Sequence, residues 1–259
     1  MRGAPIMTNT RLINNLKRFR LVTFDITDTL VRFSKPPAIQ YAKTASELGV
    51  SDIDQSALEK CFKKEFKAMR KLHPNWGYNT PNFTWQEWWT ELVRNIFLCV
   101  KPNIEPKKLQ EVAETLVRIY RTKECYSHID GGIELVDKMR DSGKKVGVIS
   151  NFDPSLRQVL KEVKLAEKFD FILTSYDVGF EKPHKEIYNA CLRKCNVRST
   201  EALHIGNMYD MDYKGARNAG WSSILITTNE EDLEKTEPTH GYRNIKDLLY
   251  FLDNDSIEW

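Results

Sequence analysis

From about residue 130 the chain alternates short apolar runs with amphipathic stretches, and this alternation constrains its fold more than any other feature. "KVGVIS", "DFILTS", "ALHIG" and "SSILIT" read as buried strands. Between them stand "LRQVLKEVKLAEKF", "HKEIYNACLRKCN" and "DYKGARNAG", which read as helices. Strands alternating with helices imply a parallel sheet covered by helices, an α/β fold. "RLVTFDI" (20–26) is a run of the same kind far upstream, and it ends on a carboxylate. What separates it from the rest has a different texture. "AIQYAKTASELGV", "SALEKCFKKEFKAMRKL", "TWQEWWTELVRNIFLCV" and "PKKLQEVAETLVRIYR" are helical, the second with apolar residues at 58, 62, 66 and 69. Pro- and Gly-rich breaks, "SKPP", "HPNWGYNTPN" and "KPNIEP", punctuate them. The expected organisation is a discontinuous α/β core, 1–33 and 126–259, interrupted by a helical domain over 34–125. Open parallel sheets bind ligands beyond the C-terminal ends of their strands. A helical insertion directly after the first strand would therefore stand over such a site.

Four short stretches fall at those strand ends: Asp25 in "FDITDTL", Ser150 in "VISNFD", Lys182 in "GFEKPHKEIY", and the loop "IGNMYDMDYKGARNAG". A carboxylate, a hydroxyl, a lysine and an acidic loop converging on one point suit phosphoryl transfer. The carboxylate attacks phosphorus, the hydroxyl and lysine hold phosphate oxygens, and acidic groups hold a divalent cation.

These four motifs, in this order, resemble the haloacid dehalogenase superfamily. The tail D-x-x-G-A-x-x-A-G from Asp212 to Gly220 fits without a gap. The resemblance spans about residues 19–253 and implies a Rossmann-like core with a type-one helical cap. It implies that Asp25 is the nucleophile and a Mg²⁺ ligand. Position 27 would bind the metal through its backbone carbonyl and act as general acid and base. Ser150 and Asn151 would contact the substrate phosphate, Lys182 would neutralise phosphate and nucleophile, and the loop 206–212, with Asn207 and Asp212, would complete the metal site.

Two positions depart from the family pattern. Position 27 is Thr, whose hydroxyl does not titrate near neutrality, so a proton-transfer contribution of roughly 10²–10⁴-fold is at stake. Position 207 is Asn, a neutral oxygen where the pattern has Asp, which weakens the attraction for Mg²⁺. Asp210, in the same loop, could substitute. Three functions follow: a slow Mg²⁺-dependent hydrolase of a small phosphorylated metabolite through an aspartyl-phosphate; a catalytically impaired binding or regulatory protein with the same fold; or a dehalogenase-type hydrolase forming an ester on Asp25 without metal. Among the other conspicuous residues, Asp28 reads as a turn residue, His204 as a core histidine, and Trp85, Trp88 and Trp89 as core of the insertion. His128 and His184 read as surface or loop residues.

Bulk properties exclude other classes. With 39 basic and 36 acidic residues the net charge is +3, which gives no electrostatic case for nucleic acid. No run of about 18 apolar residues could span a membrane. The five cysteines, an odd number without a C-x-x-C pair, read as reduced thiols of an intracellular protein, cytoplasmic or nuclear. The N-terminal "MRGAPIMTNTRLINNLKRFR" has five basic residues and no acidic one, which suits a basic arm before the first strand or a mitochondrial presequence.

Overall fold

The computed structural model describes residues 10–259. Its centre is a six-stranded, wholly parallel sheet. The strands are β1 (Leu21–Phe24), β4 (Lys145–Ser150), β5 (Phe171–Thr174), β6 (Ala202–Gly206), β7 (Ser222–Ile226) and the short edge strand β8 (Gly241–Tyr242). They lie in the order β5-β4-β1-β6-β7-β8. β1 is central, pairing with β4 through Phe24 opposite Val148 and with β6 through Phe24 opposite Ile205. Every residue of β1, β6 and β7 is buried, as expected of strands covered on both faces. Among the polar members of these strands, which also include Ser222, three form a row. Thr23, His204 and Ser223 sit side by side in one row across β1, β6 and β7.

The chain leaves β1 through a tight loop and a short strand β2 (Val31–Phe33), and returns through β3 (Tyr126–His128). These two pair antiparallel into a ribbon that the apolar pattern alone does not announce. Between them run α2 (Pro37–Glu47), α3 (Gln55–Leu72), the single turn α4 (Pro74–Gly77), α5 (Trp85–Val100) and α6 (Pro106–Ile119), and no strand. Their ends follow local chemistry. Asp54 caps α3 by accepting from Ser56 N, and Thr84 with Glu87 forms a reciprocal capping box on α5. α2 and α6 open with proline, whose missing N–H is not needed there. Trp88 is fully buried among these helices, in edge contact with Phe66 and Trp76, and its indole N–H donates to His73 O at 2.9 Å.

Around the sheet pack α1 (Thr10–Leu16), α7 (Gly132–Asp141), α8 (Leu156–Glu162), α9 (Ser175–Val178), α10 (Lys185–Cys195), α11 (Gly215–Asn218), α12 (Glu230–Glu234) and α13 (Ile245–Asn254). None of the described helices is long and apolar enough to cross a membrane.

Three expectations are corrected here. The cysteines are not all free: Cys61 of α3 and Cys99 of α5 form a disulfide, while Cys125, Cys191 and Cys195 remain thiols. The two sulfurs meet because α3 and α5 pack side by side, a proximity that a separation of 38 residues does not reveal. The stretch ahead of β1 is not simply a basic arm. Residues 10–16 form α1, tied down by Asn15, whose side chain bonds Leu252 O, Asp255 O and Ile257 N; residues 1–9 of the presequence reading lie outside the described residues. The motif from Asp212 is not one helix either. A wide π-type turn, Tyr209–Lys214, precedes the short α11.

Truncating Trp88 removes a fully buried indole and orphans the His73 carbonyl. Trp88→Ala is expected to lower unfolding free energy by about 3–5 kcal/mol, read from urea denaturation, whereas Trp85→Ala at a half-buried position should cost clearly less.

Candidate active site

The sheet's C-terminal edge brings the four sequence motifs together. Asp25 follows the last residue of β1 and is fixed by its own N–H donating to Ile205 O at 2.9 Å. The loop beyond it closes on Ile26, whose carbonyl accepts from the N–H groups of Thr29, Leu30 and Val31, while Asp28 N donates to Val31 O. Asp28 takes a left-handed φ of 58°, the turn role expected of it. Thr27 sits half-buried at the loop's crest, and its carbonyl accepts none of the backbone bonds that close the loop.

Lys182 arrives from the other side. Its ammonium donates to Asp25 Oδ1 at 2.7 Å, Asp212 Oδ1 at 2.6 Å and Ile149 O at 3.0 Å. An ammonium has three hydrogens, so this set uses all of them. Its backbone is held as firmly. Asn151 Oδ1 accepts from Lys182 N at 2.7 Å and Asn151 Nδ2 donates to Lys182 O at 2.9 Å. The Asn151 side chain, expected against substrate, is thus committed to bracketing the lysine. Ser150 ends β4, next to the Ile149 carbonyl that Lys182 engages, and is buried.

Asp212, on the wide turn, is buried and fully engaged. Oδ1 accepts from Lys182 and from His204 Nε2 at 3.1 Å, and Oδ2 accepts from Met208 N at 2.9 Å. The turn can come this close only because residue 206 is glycine: a Cβ there would lie 2.3 Å from Asp212 Cγ. Asn207 is half-buried, and its Oδ1 accepts from Thr29 Oγ1 at 3.2 Å. Asp210 does not enter the site; it is exposed, 3.8 Å from Lys214.

Burial works against charge on every one of these groups, and the balance differs. Burial outweighs Lys182 at Asp25 and raises it above the usual carboxylate range, with Asp212 adding to the rise. At Asp212 the opposing burial is overcome by Lys182 and His204, and the carboxyl is held well below that range. The two carboxylates in turn overcome burial at Lys182 and hold its proton. His204 is pushed down by burial and stays neutral. One cation therefore serves two anions, of which Asp212 is the more firmly ionised.

The fit to Mg²⁺ follows from which oxygens remain. Asp25 Oδ2 receives no hydrogen bond from the described residues, and the Asp25 side chain stays 11% exposed. The Thr27 carbonyl and Asn207 Oδ1, which keeps a second lone pair beside its bond from Thr29, are likewise hard oxygens of the kind Mg²⁺ takes, so the candidate donors contain one carboxylate. Asp212 faces Lys182 rather than this set.

Helices α3 to α5 close over the site through polar bridges. Trp89 Nε1 donates to Asp153 Oδ2 at 2.8 Å, Asn75 Nδ2 to Ser175 O at 2.9 Å, and Arg70 pairs with Glu181 at 2.8 Å, one residue from Lys182. Trp88 is core, as expected, while Trp89 reaches across to the loop after Ser150. His184, exposed, caps α10, and His128 is exposed on β3. Thr29 lies inside "FDITDTL" and Asp212 opens the tail motif, but nothing in either stretch announces the bond of Thr29 to Asn207 or the contact of His204 with Asp212.

A family model for haloacid dehalogenase-like hydrolases matches residues 19–220. The chain belongs to this family. It is 36% identical to the rhythmically expressed gene 2 protein of Drosophila melanogaster, over 95% of this chain and 100% of that one. It is 33% identical to haloacid dehalogenase-like hydrolase domain-containing protein 3 of Bos taurus, over 82% and 84%. Among solved structures, a hydrolase of the family from Bacillus subtilis bound to magnesium superimposes with a TM-score of 0.62 at 19% identity, covering 91% of this chain and 99% of that one. A 2-haloacid dehalogenase from Pseudomonas syringae does so with 0.62 at 19%, covering 90% and 98%. At such identities the structural likeness speaks for the fold alone.

Removing the shared cation leaves two buried carboxylates facing each other. Lys182→Met is expected to cost about 3–5 kcal/mol of unfolding free energy, and adding Asp25→Asn should recover part of it, both read from denaturant melts at neutral pH.

Proposed function

We propose that the protein hydrolyses a small phosphomonoester through an aspartyl-phosphate on Asp25, with Mg²⁺ and at a low rate. One observation carries this reading. Of Asp25 and Asp212, Asp25 keeps an oxygen without a donor among the described residues, while its other oxygen is fixed 2.7 Å from the Lys182 ammonium. A nucleophile needs that arrangement: one oxygen aimed, the other held, and a cation beside the charge that is lost on attack. Bound through Asp25, the Thr27 carbonyl and Asn207, Mg²⁺ would supply charge neutralisation for the phosphate.

The chain's own residues divide the remaining work. Because Lys182 spends its three hydrogens on protein, it orients Asp25 rather than reaching for the phosphate. That leaves the Ser150 hydroxyl as the side-chain donor to a phosphoryl oxygen. Helices between residues 37 and 119 act as a cap domain that excludes water and selects the leaving group, latched by Trp89, Asn75 and Arg70. The weak point is proton transfer. Thr27 can neither protonate a leaving alkoxide nor activate water, so both half-reactions lose the general acid and base.

A second reading rests on the same two replacements. Displacement at carbon needs a held carboxylate nucleophile but neither a metal nor an acid at position 27, so Thr27 and Asn207 suit an ester-forming, dehalogenase-type hydrolase. Metal dependence separates the two. Binding of a phosphate ligand without turnover is the third outcome, and would make the protein a sensor.

If Thr27 and Asn207 limit the rate, Thr27→Asp with Asn207→Asp should raise hydrolysis of an aryl phosphate by at least about tenfold, within the range general acid–base catalysis commands. Asn207→Asp alone should chiefly lower the Mg²⁺ concentration needed, and Asp25→Asn should abolish turnover in every background. Phosphate release measured against Mg²⁺ concentration decides. A folded double variant no faster than wild type argues that the block lies in the cap.

A further inference from the structure

The row Thr23–His204–Ser223 crosses three central strands of the sheet in buried surroundings, and the chemistry above leaves it unused. Its hydrogen bonds run in one direction. Thr23 Oγ1 lies 2.9 Å from His204 Nδ1, His204 Nε2 lies 3.1 Å from Asp212 Oδ1, and that oxygen lies 2.6 Å from Lys182 Nζ, which is 2.7 Å from Asp25. Thr23 stands two residues before Asp25, on the same face of β1. The carboxylate of Asp212 only accepts, so His204 Nε2 must carry the hydrogen. In the neutral ring Nδ1 is then bare, and of the two acceptors within reach of the single Thr23 hydroxyl hydrogen, Leu203 O at 3.4 Å and Nδ1 at 2.9 Å, Nδ1 is the nearer. Tyr188 packs edge-on against the ring, 5.6 Å between centroids. Ser223 Oγ lies 3.1 Å from His204 O and 3.3 Å from Asp212 O, so its one hydrogen is shared between strand β6 and the wide turn.

We propose that His204, locked in its Nε2–H form by Thr23, is a positioning residue for Lys182 and through it for Asp25. The reason is directional. A carboxylate oxygen offers two lone-pair directions. At Asp212 Oδ1 the imidazole fills one, so the lysine is confined to the other, the one that also places Nζ against Asp25. Met208 N holds Oδ2 and prevents the carboxylate from turning. Without the imidazole N–H, the lysine has two approaches to Asp212 instead of one, and the cation no longer has a single place beside the nucleophile. This rests on Asp25 being the nucleophile for its effect on rate, but the placement of Lys182 is observable without turnover.

The test compares His204→Phe, which keeps the ring's bulk without a donor, His204→Gln, which returns an N–H at similar reach, and Thr23→Val, which removes the tautomer lock. In aryl phosphate hydrolysis, His204→Phe should lower kcat by about a hundredfold with KM nearly unchanged, the size expected of a group misplaced by about an ångström. His204→Gln should recover most of that loss. Nitrogen-resolved NMR supplies the second arm. Wild type should show the Nε2–H tautomer and a slowly exchanging Lys182 ammonium; the ammonium signal should shift or vanish in His204→Phe, persist in His204→Gln, and the tautomer should become mixed in Thr23→Val. Equal damage by Phe and Gln, or an Nδ1–H tautomer in wild type, overturns the proposal. If wild type shows no hydrolysis, the hydrolase reading has failed, and the NMR arm alone decides whether His204 places Lys182.

Discussion

Everything at the head of the sheet depends on one buried ammonium. Lys182 is 4% exposed and lies within hydrogen-bonding distance of two carboxylates and a carbonyl. A lone buried cation costs several kcal/mol, and so does each lone buried carboxylate. Together they are tolerable only in a fixed geometry, and the surrounding chain supplies it. Asn151 brackets the lysine backbone, Gly206 lets the wide turn come close, and His204 and Met208 pin Asp212. The result is a carboxylate, Asp25, held by one oxygen and offered by the other.

The parallel sheet makes this economical. With β1 between β4 and β6, the ends of three adjacent strands deliver Asp25, Ser150 and the 206–212 loop to one place, and the chain beyond β5 brings Lys182 back over them. The helices inserted after β1 then meet the same edge through Trp89, Asn75 and Arg70. Each of these side chains touches a core residue within three positions of a motif or at the end of β5. A movement of those helices would therefore be felt at the loop after Ser150 and at Glu181, beside Lys182.

Much of this was legible in the sequence, for identifiable reasons. Strands buried on both faces leave unbroken apolar runs, so β1, β4, β6 and β7 are legible, and the candidate site residues Asp25 and Ser150 stand at the ends of such runs. The meeting of Asp25 with Lys182 could be expected because the motif order implies it. The hydrogen-bond partners could not. Asn151 and Lys182 are distant in sequence, and nothing in "ISNFD" says that the amide faces a lysine backbone rather than a phosphate. The two-stranded ribbon leaves no sequence signal because β2 and β3 are three residues each and pair across the whole insertion. The Cys61–Cys99 bond is invisible in sequence because it depends on how α3 packs against α5, and an odd number of scattered cysteines suggests free thiols.

The most direct test of the account is to quench the reacting enzyme in acid and map the adduct. Digestion after mixing with an aryl phosphate and Mg²⁺ should yield a phosphoryl group on the peptide containing Asp25, present in wild type and absent in Asp25→Asn. Substrate turnover at a rate that the adduct does not precede, or an adduct on any other residue, would contradict the central role assigned to the carboxylate that Lys182 holds.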